Sequence, residues 1–219
     1  MIKKILWHNI ETVLLDMDGT LLDLHFDSYF WRTYLPKIYA QQYNIPISQA
    51  QKKLYNDYRS HEQTLNWYST DYWSQYLQIP IVEHLHHCRH KIQPRLDALT
   101  FLNQLKQSPY HCHIVTNADW SSINLKCQLV PLKKIISSII SSHDFKQPKE
   151  SPLFWDALQK KHPFNPKYTL FIDDNQHVLS TAKNFGIQHL YTIDQPDLSQ
   201  KKIIQSSYPS ISSFSEIYP

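Results

Sequence analysis

Four short apolar runs, each ending in polar residues, alternate with helical patterns along this chain. The runs have the length of strands and lie at 12–16, 113–117, 170–174 and 189–193. Apolar residues at helical spacing predict helices over 95–107, 151–161 and 174–186. Apolar strands that alternate with helices are typical of a parallel sheet covered on both faces. The sequence therefore predicts an α/β fold with a doubly wound parallel sheet.

Three further segments have a weaker pattern. A fifth strand is predicted over 134–140, although the same residues could equally end a helix. Gly186, one of only 2 glycines in the chain, follows the helical pattern of 174–186 where a left-handed cap residue is expected. The last residues, 206–219, are expected to pack a short helix or loop on the core.

Residues 24–94 interrupt the alternation of strands and helices. This stretch is rich in aromatic residues and glutamine, contains no strand-like run, and repeats apolar residues at helical spacing. We therefore predict that residues 1–23 and 95–219 form an α/β core domain and that 24–94 form a helical domain inserted after the first strand.

Composition narrows the class of protein. Hydrophobic residues make up 42% of the chain and charged residues 19%, which excludes an intrinsically disordered chain. The net charge of +3 is spread without a basic block, and no run approaches the length of a membrane span, so we expect neither a nucleic-acid nor a membrane partner. Cys88, Cys112 and Cys127 are odd in number and lack CxxC spacing, which indicates neither a disulfide framework nor a zinc ribbon. A reduced, cytoplasmic enzyme or binding protein is the expected class.

Polar side chains follow three of the predicted strands, at Asp16 and Asp18, Thr116 and Asn117, and Asp173 and Asp174. The carboxyl ends of parallel strands meet at one edge of the sheet, where open α/β folds bind ligands. Four carboxylates at that edge would repel one another unless a cation lay between them. Mg²⁺ suits a few carboxylates together with a substrate phosphate. Any one of these aspartates is more simply a turn residue, and their coincidence at strand ends favours the metal.

Two common phosphate or ion motifs are excluded. An EF-hand loop requires glycine at its sixth position, whereas Gly19 is the fourth residue counted from Asp16. A P-loop requires two nearby glycines followed by lysine and Ser or Thr, and the two glycines of this chain are far apart.

Four motifs occur in order along the predicted core. The stretch LLDMDGTLLD (14–23) resembles the DxDGT motif of the haloacid dehalogenase superfamily. The stretch IVTNAD (114–119) resembles the second motif of that superfamily. PKESPLFW (148–155) resembles its lysine motif, and LFIDDN (170–175) resembles its acidic fourth motif. In addition, the sequences around the first motif and TLNWYSTDYWSQ (64–75) are similar to bacterial GMP/IMP 5′-nucleotidases of this superfamily.

The resemblance implies a Rossmann-like core with a type-1 helical cap at 24–94. It also implies a Mg²⁺-dependent phosphomonoesterase that works through an aspartyl-phosphate. The expected substrate is a purine nucleoside 5′-monophosphate, GMP or IMP, which would be hydrolysed to nucleoside and phosphate. The alternatives are a sugar-phosphate phosphatase or phosphomutase on the same core, and a catalytically inactive protein that binds a nucleotide or phosphate.

The resemblance also implies roles for the acidic residues. Asp16 would be the nucleophile, and Asp18 would protonate the leaving oxygen and then deprotonate water. Asp16, the backbone carbonyl of Asp18, and Asp174 would hold Mg²⁺, with Asp173 as a further metal residue. Which of Asp173 and Asp174 binds the metal directly stays open. Gly19 would let the backbone turn sharply around the phosphoryl group.

Three other residues would bind the phosphate of the substrate. Thr116 and Asn117 follow the second strand, and Lys149 would supply a fixed positive charge. Glu150 follows Lys149 where the family more commonly has proline, and Lys146 is a rival three residues earlier.

The predicted insertion holds weaker candidates. Trp67, Tyr68, Tyr72 and Trp73 could stack on a purine, although an aromatic stripe at helical spacing is more often core. Asn66 could contact a base edge or could be a solvated turn residue.

A histidine pair is a further candidate in the insertion. His86 and His90 have the spacing of a zinc pair, but no third ligand is evident, which favours a solvated helix face.

Overall fold

The computed structural model describes residues 5–136, 138–203 and 205–219. Within them, six strands form one parallel sheet in the order β3-β2-β1-β4-β5-β6. The strands are β1 (Thr12–Leu15), β2 (His111–Thr116), β3 (Ile139–Ser141), β4 (Thr169–Ile172), β5 (His189–Ile193) and β6 (Ser210–Ile211). The prediction of a parallel α/β sheet is therefore confirmed.

Two groups of helices accompany the sheet. Those between β1 and β2 are α1 (His25–Tyr29), α2 (Leu35–Gln42), α3 (Ile47–His61), α4 (Thr70–Leu77), α5 (Ile81–Cys88) and α6 (Ala98–Gln107). Those after β2 are α7 (Trp120–Leu129), α8 (Leu132–Ile135), α9 (Pro152–Lys161) and α10 (Gln176–Phe185). A π-helical turn, Phe30–Tyr34, joins α1 to α2, and a 3₁₀ turn, Leu65–Tyr68, precedes α4.

The sheet is covered on both faces because neighbouring residues of its central strands point in opposite directions. On one face, Leu14 of β1 packs in a cluster with apolar residues of α9 and α10. On the other, Val13 and Leu15 pack with apolar residues of α6, α7 and the 24–94 helices. Every residue of β1 and β4 is buried, which explains why both strands are apolar throughout and detectable from the sequence.

The weaker predictions had mixed outcomes. Gly186 ends α10 with a φ of +115°, and its N–H donates to carbonyls of that helix, so the predicted cap is confirmed. The segment predicted as a strand or a helix end holds both, since α8 ends at Ile135 and β3 begins at Ile139, while residue 137 is outside the described part. The tail has the expected short helix, a 3₁₀ turn at Phe214–Ile217, but β6 was not predicted, because two residues are too short for a periodic pattern.

The 24–94 stretch leaves and rejoins the sheet region at one place. Leu22 forms an antiparallel bridge with Pro94, and the N–H of Asp23 donates to the carbonyl oxygen of Gln93. The two ends of the stretch therefore lie side by side, as an insertion requires. The exact division into a core domain and a helical domain stays a prediction.

None of the helices in the described ranges is long and apolar enough to cross a membrane.

Candidate active site

The loop after β1 brings Asp16, Asp18 and Gly19 to the carboxyl edge of the sheet. Asp16 is buried and continues the strand ladder, because its N–H donates to the carbonyl oxygen of Ile172 at 2.9 Å. The chain then turns at Gly19 with a φ of +82°. A Cβ on Gly19 would lie 2.5 Å from Oδ2 of Asp174. Glycine is therefore required here both by the backbone conformation and by the close approach of a carboxylate.

Lys149 joins the loops that follow β1 and β4. Its ammonium group donates to Oδ1 of Asp16 at 2.5 Å, to Oδ2 of Asp173 at 2.7 Å and to the carbonyl oxygen of Val115 at 3.0 Å. Lys149 is 2% exposed, whereas its rival Lys146 is exposed and sits in a left-handed turn. Lys149, and not Lys146, thus reaches the predicted site.

Asp16, Asp173 and Asp174 form a group suited to a metal ion. One carboxylate oxygen from each lies within 4.8 Å of the other two. Both oxygens of Asp173 are engaged, one by Lys149 and the other by the N–H of Asn175 at 2.8 Å. Asp174 accepts no hydrogen bond within the described ranges. The geometry therefore favours Asp174 over Asp173 as a direct ligand.

The charges of this group also indicate a bound cation. The three carboxylates carry three negative charges when ionised, and Lys149 supplies one positive charge among them. Burial raises the pKa of Asp16 to about 7, although Lys149 acts in the opposite direction. Burial, reinforced by Asp173 and Asp16, holds the pKa of Asp174 well above its usual value. A bound divalent cation would stabilise the ionised forms, and an all-oxygen donor set of this kind fits Mg²⁺.

The two residues at the end of β2 have different surroundings. Thr116 is 1% exposed and lines the cavity above the carboxylates, where its hydroxyl accepts a hydrogen bond from the N–H of Ala118 at 3.1 Å. The side chain of Asn117 is committed to the protein, because its Oδ1 accepts from the N–H of Lys149 at 2.8 Å and its Nδ2 donates to Oε2 of Glu150 at 2.9 Å. Asn117 therefore positions the segment that carries Lys149.

Sequence reasoning missed a second buried lysine. Lys126 of α7 lies 2.8 Å from Oδ1 of Asp18 and 3.1 Å from each carboxylate oxygen of Asp27 in α1. Burial disfavours its charge, but the two carboxylates outweigh burial and raise the pKa of Lys126. A signal was present, since Lys126 follows Ile123 and precedes Val130 at the spacing of one apolar helix face.

Glu150 connects the core to the 24–94 helices. Its carboxylate accepts from the hydroxyl of Tyr68 at 2.5 Å, from Asn117 at 2.9 Å and from Nδ2 of Asn175 at 3.3 Å. The sequence indicated Glu150 only as a departure from the family pattern. In the structure it ties three loops of the site to the 3₁₀ turn before α4.

A cavity of about 390 Å³ lies above the carboxylates. Trp67, Tyr68 and Trp73 line it, as do Trp31 and Tyr58, which the sequence did not single out. Tyr72 does not line the cavity, and its hydroxyl hydrogen-bonds Nε2 of His61 at 2.6 Å. Because Trp73 is only 1% exposed, it serves mainly as core, while Trp67 and Tyr68 are half-buried walls.

The remaining candidates lie outside this cavity. Asn66 is exposed in the 3₁₀ turn before α4, as the turn interpretation expected. His86 and His90 are both exposed. Across the described ranges, the three aspartates are the one group of three or more His, Cys, Asp or Glu side chains close enough to hold a metal. A zinc pair at the histidines therefore gains no support.

Comparisons with known proteins identify the family and the fold of this chain. Residues 13–192 match the family model of the haloacid dehalogenase-like hydrolases. Two relatives, the GMP/IMP nucleotidases YrfG of Escherichia coli (strain K12) and Shigella flexneri, are each 33% identical over 216 residues, which cover 99% of this chain and 97% of each relative. A HAD phosphatase structure from Thermococcus onnurineus has the same fold, with a TM-score of 0.76 and 20% identity over 94% of this chain and 95% of that chain.

The family match and the nucleotidase relatives support the prediction of a phosphatase. The resemblance seen in the four motifs is thus confirmed, and the chain belongs to the haloacid dehalogenase-like hydrolases.

Proposed function

We propose that this protein is a Mg²⁺-dependent phosphomonoesterase that hydrolyses purine nucleoside 5′-monophosphates, GMP or IMP. The observation that carries the reaction class is the placement of Lys149 between Asp16 and Asp173, with Asp174 in the same group, beneath a cavity. The two nucleotidase relatives support the substrate class.

In the first step, a carboxylate oxygen of Asp16 attacks the phosphorus atom and the bond to the 5′ oxygen of the nucleoside breaks. Asp18 donates its proton to that leaving oxygen, which yields the nucleoside and an aspartyl-phosphate. Lys149 holds the Asp16 carboxylate in place. Mg²⁺, held by Asp16, Asp174 and the backbone carbonyl of Asp18, would offset the negative charge of the carboxylate and the phosphoryl oxygens.

In the second step, the Asp18 carboxylate accepts a proton from a water molecule, and the water oxygen attacks phosphorus. The bond to Asp16 breaks, inorganic phosphate leaves, and both aspartates return to their starting states. Lys126 orients Asp18 throughout, since its ammonium group lies 2.8 Å from Oδ1 of that residue. A protein that only bound phosphate would not need this second carboxylate.

The walls of the cavity support a nucleotide over a small sugar phosphate. Its volume of about 390 Å³ is within the usual range for small-molecule sites. The part contributed by the 24–94 helices is largely aromatic and apolar, and it includes Trp31, Tyr58, Trp67, Leu24 and Leu85. Flat aromatic surfaces suit a planar base, whereas a sugar ring requires more polar partners.

The test is phosphate release from nucleoside monophosphates and sugar phosphates in the presence of Mg²⁺. We expect GMP and IMP to be the best substrates, Asp16→Asn to remove turnover, and Asp18→Asn to lower it about 10²–10⁴-fold. Asp156→Asn on the exposed side of α9 is the matched control. Equal rates for wild type and Asp16→Asn would exclude the covalent mechanism. Isomerised sugar phosphate would instead favour a phosphomutase, and tight nucleotide binding without turnover an inactive binding protein.

A further inference from the structure

The first helix after β1 presents polar side chains to the cavity where a buried helix face would ordinarily be apolar. Asp27, Ser28 and Arg32 line the cavity on the same helix face as the apolar Leu24 and Trp31. Trp31 and Arg32 belong to the π-helical turn between α1 and α2. Such turns are rare and frequently occur at functional sites.

Arg32 is the one cation of this cavity wall that is not already paired within the described residues. Lys149 donates to three acceptors, and Lys126 is held by Asp18 and Asp27. Arg32 is exposed, lines the cavity, and forms no hydrogen bond or ion pair in that same part of the chain. Its guanidinium group is therefore available to a ligand.

The aromatic residues beside Arg32 are held rigidly. The rings of Trp31 and Tyr58 meet edge to face at 5.8 Å, and the Tyr58 hydroxyl donates to the carbonyl oxygen of Trp31 at 3.2 Å. The indole N–H of Trp73 donates to the carbonyl oxygen of Trp67 at 3.0 Å. A rigid aromatic wall positions a planar base, and a free guanidinium in the same wall can contact the edge of that base.

We propose that Arg32 selects 6-oxopurines by donating two hydrogen bonds to O6 and N7 of guanine or hypoxanthine. This inference rests on the proposed function. A guanidinium group has donors only, and guanine and hypoxanthine offer two adjacent acceptors at this edge. Adenine has an amino group in place of O6, which would set a donor against a donor. A bidentate contact of this kind discriminates between bases by about 5-fold to 150-fold in kcat/KM.

The experiment compares kcat/KM for GMP, IMP, AMP and 7-deaza-GMP, with an aryl phosphate ester as a substrate without a base. Wild type should prefer GMP and IMP to AMP and to 7-deaza-GMP, which lacks the N7 acceptor. Arg32→Ala should reduce the GMP-to-AMP ratio by about 5-fold to 150-fold, mainly through KM for GMP. Arg32→Gln should shift preference towards AMP, because glutamine pairs with N6 and N7 of adenine. Arg59→Ala is the control, since Arg59 is exposed over the ring of Tyr55, outside the cavity.

Each outcome decides between the inference and the function on which it rests. A wild type that prefers GMP, with an unchanged GMP-to-AMP ratio in Arg32→Ala, would overturn the inference and leave the proposed function standing. Equal losses on GMP, AMP and the aryl ester would overturn it too, because Arg32 would then contact the phosphate. A wild type that hydrolyses GMP and AMP equally would overturn the inference and the expected preference for GMP and IMP, while the phosphomonoesterase activity on purine nucleotides would stand. No phosphate release from any nucleotide would refute both.

Discussion

The ammonium group of Lys126 lies between the carboxylates of Asp18, in the loop after β1, and Asp27, in α1. Removing that charge tests whether this contact holds the 24–94 helices against the sheet region beside the active site. Lys126→Met keeps a side chain of similar length and removes the charge. In the wild type, Nζ of Lys126 lies 2.8 Å from Oδ1 of Asp18 and 3.1 Å from Oδ1 of Asp27. Without that ammonium group, the two carboxylates would lie close together with no counter-ion between them.

The magnitude follows from burial. Removing one partner of a buried ion pair costs about 3–5 kcal/mol, because the other charge is left uncompensated. The side chains of Asp18 and Asp27 keep 18% and 22% of their surface exposed, so water solvates part of their charge. We therefore take the lower end, about 3 kcal/mol in the free energy of unfolding. In a chain of this length, that lowers Tm by about 6–12 °C.

The assay is thermal unfolding followed by tryptophan fluorescence near neutral pH, with Lys160→Met, an exposed lysine of α9, as the control. Adding Asp27→Asn to Lys126→Met should recover part of the lost Tm, because it removes one of the two unpaired charges.

Lowering the pH should reduce the Tm deficit of Lys126→Met as well. Burial raises the pKa of Asp27 to about 6 in the wild type. A carboxyl with a raised pKa binds a proton more tightly in the folded chain than in the unfolded one, so its penalty decreases as pH falls. A Tm for Lys126→Met within about 2 °C of wild type, or no recovery in the double variant, would refute the reasoning.

Three further predictions concern the metal site and the pH dependence. Gly19→Ala should raise the Mg²⁺ concentration needed for half-maximal phosphate release at least about tenfold. Gly19 has a positive φ, and a Cβ there would displace the carboxylate of Asp174. An unchanged Mg²⁺ titration would contradict this. Chelation by EDTA should abolish phosphate release and Mg²⁺ should restore it; full activity in EDTA would exclude the metal. Burial lowers the pKa of His113, so the unfolded chain binds more protons and the free energy of unfolding should fall as pH drops from about 7 to 5. His113→Gln should flatten that slope in urea titrations, and an unchanged slope would assign the dependence to other groups.

The sheet was predictable because its central strands are buried on both faces. That burial requires continuous apolar runs in β1 and β4, and such runs are visible without any tertiary information. The two-residue strand β6 has no such pattern, because its pairing with β5 comes from contacts that the local sequence does not encode. The join between α8 and β3 was ambiguous for a similar reason, since a short apolar run is compatible with both states.

Some residues of the candidate site were likewise predictable from local sequence, and others were not. Asp16, Asp18, Asp173 and Asp174 were identifiable because each follows a recognisable strand. The contact between Lys126 and Asp27 joins residues that are 99 positions apart. In the local sequence, this contact is indicated only by Lys126 on an apolar helix face. Nothing in the local sequence indicates that Asp27 is its partner.

The sequence by itself determined which carboxylates follow which buried strand. It therefore also determined that these carboxylates meet at one edge of the sheet. It could do so because a parallel sheet places the ends of its strands together whatever surrounds them. Only the tertiary structure decided which lysine reaches the carboxylates, and which aromatic residues form core and which form the cavity wall. It also decided that Arg32 has no hydrogen-bond or ion-pair partner among the residues that the structure describes. Those properties depend on packing between segments distant in the chain, where an orientation or a partner is set by neighbours that the local sequence does not specify.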